Sequence, residues 1–205
     1  MKVYFVRHGE SVFNVSRLRQ HGQVPLSETG QEQARVVGKR LEQVSPELII
    51  SSDFLRAKES AEIINGFVKK EIIYTDLARE RMASSEVHGK PVSGAENIEI
   101  EKIILANIHN PDFHYSDEEN FFDMKKRAKK FLDFISRRAE DKIIVVLHGN
   151  ILRYLVASML YGETYSWEVF TGFFKFVVSN TGVTICEMKE DSWKILSWND
   201  HSHLS

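Results

Sequence analysis

Lys2-Val3-Tyr4-Phe5-Val6-Arg7-His8-Gly9-Glu10-Ser11, with Asn14 just beyond, is the stretch on which the reading of this chain turns. Lys2 to Val6 is short, apolar and rich in β-branched and aromatic residues, the composition of a buried strand. It runs straight into an arginine, a histidine and a glycine. A neutral imidazole is a usable nucleophile near neutral pH, because its unperturbed pKa is about 6.5. A guanidinium beside it offers donors in a fork that matches phosphate oxygens. A glycine lets backbone turn sharply or approach a ligand closely. Open α/β sheets bind ligands at the carboxyl ends of their strands, which is where this cluster falls. By themselves these residues better describe a polar turn after a core strand, so the decision rests on partners elsewhere in the chain.

Two more strand ends repeat the pattern. Leu48-Ile49-Ile50 reads as a short buried strand, and Ser51-Ser52-Asp53-Phe54-Leu55-Arg56-Ala57 follows it into a helix. Ser52 or Asp53 is placed to cap that helix, whose first amides favour an anion, and Arg56 lies one turn in. The plain alternative for Arg56 is a surface charge. Ile143-Ile144-Val145-Val146-Leu147, the strongest apolar run, reads as a strand buried on both faces. It ends in His148-Gly149-Asn150, before a helix carrying Leu152, Leu155, Val156 and Met159 on one face. One such histidine is a helix cap; two His-Gly pairs, each closing a buried strand, point to a site. A further strand over Glu71–Thr75 leads to Leu77-Ala78-Arg79-Glu80-Arg81, where Glu80 is the carboxylate of interest.

Between these points, 14–25 reads as a polar loop carrying Arg17, Arg19, Gln20 and His21, either a solvated basic loop or a set of contacts for an anionic substrate. Ser27 can cap a helix running to about Val44. Residues 82–96, with Gly89, Pro91 and Gly94, read as a loop able to cover a site. Helices are expected from Ile98 to about Asn107 and over Phe121 to Ile135. Thr181–Lys189 and Trp193–Trp198 read as a final hairpin turning near Glu190-Asp191-Ser192. His201 and His203 fall in a polar tail, read as a frayed end rather than a metal site.

Bulk properties narrow the function. The 205 residues form one expected domain over 1–205, long enough to bury a full core. With 27 Lys+Arg against 29 Asp+Glu the net charge is −2, so no global field favours nucleic acid or an anionic membrane, and any anion site must be a local basic pocket. Cys186 is the only cysteine, which excludes an intramolecular disulfide or a thiolate metal cluster. No apolar run approaches the roughly 20 residues of a membrane span, and no leader-like region precedes the first strand. The expectation is a soluble, cytoplasmic protein; its oligomeric state is not readable.

Arg7-His8-Gly9-Glu10-Ser11 with Asn14, Pro25-Leu26-Ser27-Glu28-Thr29-Gly30, Ser51 to Ala57 with Ser60-Ala61, Glu80, and His148-Gly149-Asn150 together resemble the histidine phosphatase superfamily, also called phosphoglycerate-mutase-like. The resemblance spans most of the chain in the family's order. It implies a three-layer α/β/α sandwich with a mostly parallel central sheet. It also implies that His8 becomes phosphorylated, that Arg7, Arg56 and His148 hold the phosphoryl group with Asn14 assisting, and that Glu80 is the proton donor. Gln20, His21, Gly149 and Asn150 are further substrate-binding candidates. No cofactor and no metal is implied, and the partner is a small phosphorylated substrate.

The chain departs from the family after Glu80: the phosphatase-type Trp-Glu-Gly is replaced by Ser84-Ser85-Glu86-Val87-His88-Gly89, so Glu86 competes for the acid's role. The loop from Arg17 to Pro25 is about one residue short and lacks the usual Gln-Gly order. Specificity is expected to lie in 15–25 and 82–118, where Phe113, His114 and Tyr115 either line a pocket or pack. A phosphomonoesterase is favoured over a phosphoglycerate mutase, whose Gly-, Asn- and Lys-rich insertion after the acid is not recognisable in 82–96. It is also favoured over a non-catalytic phospho-ligand module, because no core residue has been lost.

Overall fold

A computed structural model describes residues 1–204. Its strands are β1 (Lys2–Arg7), β2 (Leu48–Ser52), β3 (Ile72–Thr75), β4 (Lys142–Leu147), β5 (Val183–Lys189) and β6 (Ser192–Asp200). They form one sheet in the order β3-β2-β4-β1-β5-β6. The first four are mutually parallel, and β5 and β6 close one side antiparallel. The helices are α1 (Val12–Ser16), α2 (Glu28–Glu42), α3 (Leu55–Val68), α4 (Ala95–Ala106), α5 (Phe121–Ser136), α6 (Gly149–Tyr161) and α7 (Trp167–Thr171).

Why β4 reads as an unbroken apolar run is visible in the packing. Ile143, Val145 and Leu147 face one core, shared with Met124 and Phe131 of α5 and Leu152 and Leu155 of α6. Ile144 and Val146 face the other, shared with Val37 and Leu41 of α2 and Ala57 and Ile64 of α3. The sheet is thus the middle of three layers, and strand residues alternate between two dry interfaces.

The same layering positions the site. β1 and β4 are parallel neighbours. The chain leaves β1 for α2 on one face and leaves β4 for α6 on the opposite face. Their carboxyl ends therefore open a crevice at the point where the connections diverge, the place where open α/β sheets bind ligands. His8 and His148 are the first residues beyond those two ends.

Gly9 and Gly30 fix how tightly the first turn is held. A Cβ on Gly9 would lie 2.3 Å from the Gly30 carbonyl oxygen, and one on Gly30 would lie 1.9 Å from that of Glu10. Ser27, the N-cap of α2, also accepts from Gly30 N–H and donates to Glu10. Here backbone touches backbone, so neither side can yield by turning a rotamer. Gly30→Ala should cost at least about 1–3 kcal/mol, and at this chain length roughly 2–4 °C of melting temperature per kcal/mol. A Gly30→Ala protein melting within 1 °C of the parent, on the order of assay error, would show that this contact relaxes freely.

Several elements differ from expectation. The start of 14–25 is helical, because Ser11 and Asn14 form a reciprocal capping box at α1. α7 was not expected; five residues are too few to display a helical period. The hairpin turn is tighter than read: Glu190 and Asp191 take φ of 50° and 58°, the left-handed pair that suits a two-residue connection. His203 is not frayed. Its Nε2 lies 3.1 Å from Thr181 Oγ1 and its Nδ1 3.2 Å from Arg40, and burial pushes its pKa down to about 4.

Candidate active site

His8 is held at three points. Its backbone N–H donates to Leu147 across the β1–β4 pair (2.9 Å), and its carbonyl accepts from Asn180 Nδ2 (3.0 Å). The ring Nδ1 lies 2.6 Å from the Gly9 carbonyl. A carbonyl only accepts, so Nδ1 carries the proton and Nε2 presents a lone pair. Burial first, then the charges of Arg56 and Arg7, hold the imidazole well below its ordinary 6.5, so Nε2 is unprotonated at neutral pH.

Cationic and donor groups surround that lone pair. Arg56 Nε donates to His8 Nε2 (3.3 Å), while its Nη1 is tied to the His21 carbonyl (2.9 Å). Burial lowers the Arg56 pKa to about 10, which leaves it charged. Arg7 is anchored through Nη1 on the Val178 carbonyl (2.5 Å), and its buried Nε has no partner among the described residues. The His148 ring centroid is 4.9 Å from that of His8. Its Nε2 lies 2.9 Å from Ser52 Oγ, and its buried Nδ1 is likewise unpartnered. Two buried nitrogens lacking partners, on residues beside His8, are an unusual cost unless an anion completes them.

Glu80 lines the same cleft, where its carboxylate takes over the N-terminus of α6. It accepts from the backbone N–H of Asn150 (3.1 Å), of Ile151 (3.2 Å) and of its neighbour Arg81 (2.9 Å). Arg153, Arg7 and Glu80 gather around Gly149. A Cβ there would sit within 3.5–4.0 Å of Arg153 Nη1, Arg7 Nε and Glu80 Oε2, in the space those groups share.

These residues open into a cleft of about 720 Å³. Arg7, Arg17, Arg19, Arg56, Arg79 and Arg81 line it, with Glu80 as the one carboxylate among its lining residues. Despite the net charge of −2, this is the local basic pocket the composition demanded. Asn14, Gln20, His21 and Asn150 line it too. Asn14 Oδ1 accepts from Ser11 N–H (3.1 Å), which leaves its amide NH₂ as the end free to serve a ligand. Gln20 is fixed by Ser11 Oγ (2.9 Å). The covering loop carries Met82, Ala83, His88, Val92 and Ser93 to the rim, and it is pinned there by Arg19 N–H to Lys90 O (2.9 Å) and Val92 N–H to Arg17 O (3.0 Å).

Other expectations need correction. Neither Ser52 nor Asp53 caps α3, whose N-cap is Phe54 with no side-chain bond. Ser52 Oγ instead accepts from Phe54 N–H (3.2 Å) and faces His148; Asp53 grips Arg79 at 2.6 Å and 2.5 Å. Glu86 is exposed and outside the cleft lining, so it stands apart from the site that Glu80 occupies. Phe113, His114 and Tyr115 do not line the cleft: His114 is bound to Asp123 (2.7 Å), and Tyr115 packs on the small core around Val87.

A model of the histidine phosphatase superfamily (branch 1) matches residues 3–201. The chain belongs to the histidine phosphatase superfamily. It is similar over 205 residues, at 28% identity, to an uncharacterized phosphatase, PhoE, of Bacillus subtilis, covering 99% of this chain and 96% of that one. It is 27% identical over 210 residues to a metal-independent phosphoserine phosphatase of Arabidopsis thaliana, covering 100% and 83%. Among solved structures it resembles YhfR of Bacillus stearothermophilus, with a TM-score of 0.84, 28% identity, and coverage of 100% and 99%.

Within this superfamily fold, some participants escaped the sequence. Asn180 supports the His8 carbonyl from 172 residues away, and no local pattern marks it. Ser52 had a signal, a polar residue closing a fully buried strand, but it suggested a cap. Arg153 sits one turn into α6 beside Glu80, where it reads as an ordinary helix cation.

Proposed function

We propose that this chain is a phosphomonoesterase that hydrolyses a small phosphorylated metabolite through a phosphohistidine on His8. The observation that carries the reading is the unprotonated His8 Nε2 amid Arg7, Arg56 and His148, with Glu80 anchored in the same cleft. Phosphoryl transfer asks a protein chiefly for positioning and for charge stabilisation on the equatorial oxygens. Arg7 Nε, Arg56 and His148 Nδ1, with the Asn14 amide, supply donors for those oxygens. Nε2 forms a bond to phosphorus as the ester P–O bond breaks, and protonated Glu80 gives its proton to the departing alkoxide. Glu80, now a carboxylate, takes a proton from a water that attacks the phosphohistidine. The P–N bond breaks, and phosphate leaves.

No helix among the described residues is long and apolar enough to cross a membrane. A reducing, cytoplasmic setting suits the single buried Cys186. No three His, Cys, Asp or Glu side chains among the described residues gather as metal ligands.

A panel of phosphomonoesters, assayed for free phosphate, tests the reading. Phosphate should be released stoichiometrically, and activity should survive exhaustive chelation. Loss of activity restored by one divalent ion would refute a metal-free mechanism. Interconversion of phosphoglycerates with little phosphate released would replace the hydrolase by a mutase.

A further inference from the structure

Beyond the catalytic cleft lies a second cavity of about 360 Å³, which shares Arg19, Arg81 and Asn150 with the cleft. Protein cores rarely hold voids much larger than a water, and this volume is in the range of ligand pockets. Its inner wall is aromatic, formed by Phe121, Tyr154 and Phe170, all buried, with Trp167 of α7 beside them. Leu105 of α4 and Phe174 stand at the rim, 48% and 49% exposed. Large apolar side chains half open to solvent, around a hollow that also has charged residues in its lining, make up the wall of a binding site rather than of a core.

The threshold between the two spaces is built and polar. Glu101 holds Arg19 at 2.7 Å and Arg81 at 2.9 Å, and Arg19 Nε is braced on the buried Asn97 (3.0 Å). The two guanidinium groups are therefore fixed and share one carboxylate. Asn150 completes the threshold, and its backbone N–H is one of those that hold the Glu80 carboxylate. The residue beside the proton donor is thus also the residue at the mouth of the aromatic cavity.

We propose that the second cavity is a subsite for the leaving group: the enzyme takes phosphomonoesters of primary alcohols whose carbon chain ends in an aryl or similar apolar group. This rests on the roles of His8 and Glu80 given above. With phosphorus at His8 and the ester oxygen at Glu80, the alcohol carbon departs past Asn150. A chain of a few carbons runs past the Arg19 and Arg81 side chains, which line both spaces, and its ring reaches the aromatic wall.

The test is a series of esters with equally basic alkoxide leaving groups, so that only the tail differs: ethyl, 2-phenylethyl and 4-phenylbutyl phosphate. From the burial of the added carbons, kcat/KM should rise about 10–100-fold from ethyl to 4-phenylbutyl phosphate, mainly through a lower KM. Leu105→Trp, which fills the hollow from its exposed rim, and Phe174→Ala, which removes a wall, should each reduce that ratio to about threefold or less. A parent ratio near one overturns the subsite, and so does a ratio that both folded variants retain. Hydrolysis of none of the esters would defeat the phosphatase reading instead. The cavity is then judged by calorimetry with 4-phenylbutylphosphonate against ethylphosphonate: about tenfold tighter binding of the former supports it, and equal affinity overturns it.

Discussion

His8→Ala is expected to lower phosphate release by about 10⁴-fold or more while leaving the fold intact, because it removes the atom proposed to carry the phosphoryl group. Rapid quenching of the parent with labelled substrate should trap an acid-labile, base-stable label, and the variant should trap none. Equal labelling of both would move the nucleophile elsewhere. The electrostatics add a pH signature. Burial, then Arg56 and Arg7, hold His8 well below 6.5. A free imidazole would lose about three quarters of its neutral form by pH 6, whereas the phosphorylation rate here should not fall from pH 7.5 to 6. Stability carries the same sign. His8 and His148 bind protons less readily folded than unfolded, so their contribution is full above about pH 6.5 and declines as pH falls towards the folded values. A steep loss of single-turnover rate between pH 7 and 6 would show that His8 titrates normally.

The sites of His8 and His148 were legible because each ends a strand whose period and composition are unmistakable, and two parallel strands put their carboxyl ends on the same side. Arg56 was legible only in company: its place one turn into a helix is ordinary until β2 is known to lie beside β4. What lay hidden depended on long-range geometry. Asn180, Arg153 and the partnering of Glu101 with both Arg19 and Arg81 reach the cleft through loops and helix faces that carry no local period. Helix caps misled for a related reason. Ser52 has the right chemistry for a cap, yet Phe54 takes that position and Ser52 is drawn to His148. The helix that needed a cap most, α6, receives it from Glu80, 70 residues upstream of Asn150.

That capping arrangement makes Glu80 the second decisive test. Glu80→Gln keeps the shape and one acceptor oxygen for the α6 amides, so the helix start should survive, but the side chain cannot deliver a proton to the leaving oxygen. An alkyl alkoxide leaves poorly without that proton, while a nitrophenolate leaves readily. Phosphorylation of His8 by alkyl phosphates should therefore slow by about 10²–10⁴-fold, and phosphorylation by nitrophenyl phosphate far less. Dephosphorylation should slow for both, since the same carboxylate would activate water, so the first step must be timed alone in a single turnover. Glu86→Gln, at an exposed position outside the cleft, is the matched control and should change neither step. Equal slowing of both substrates by Glu80→Gln would mean that Glu80 serves to anchor α6 and order the arginines rather than to donate the proton. Selectivity for leaving-group basicity in Glu86→Gln would move the acid to the covering loop, and that loop would then have to close over the cleft during turnover.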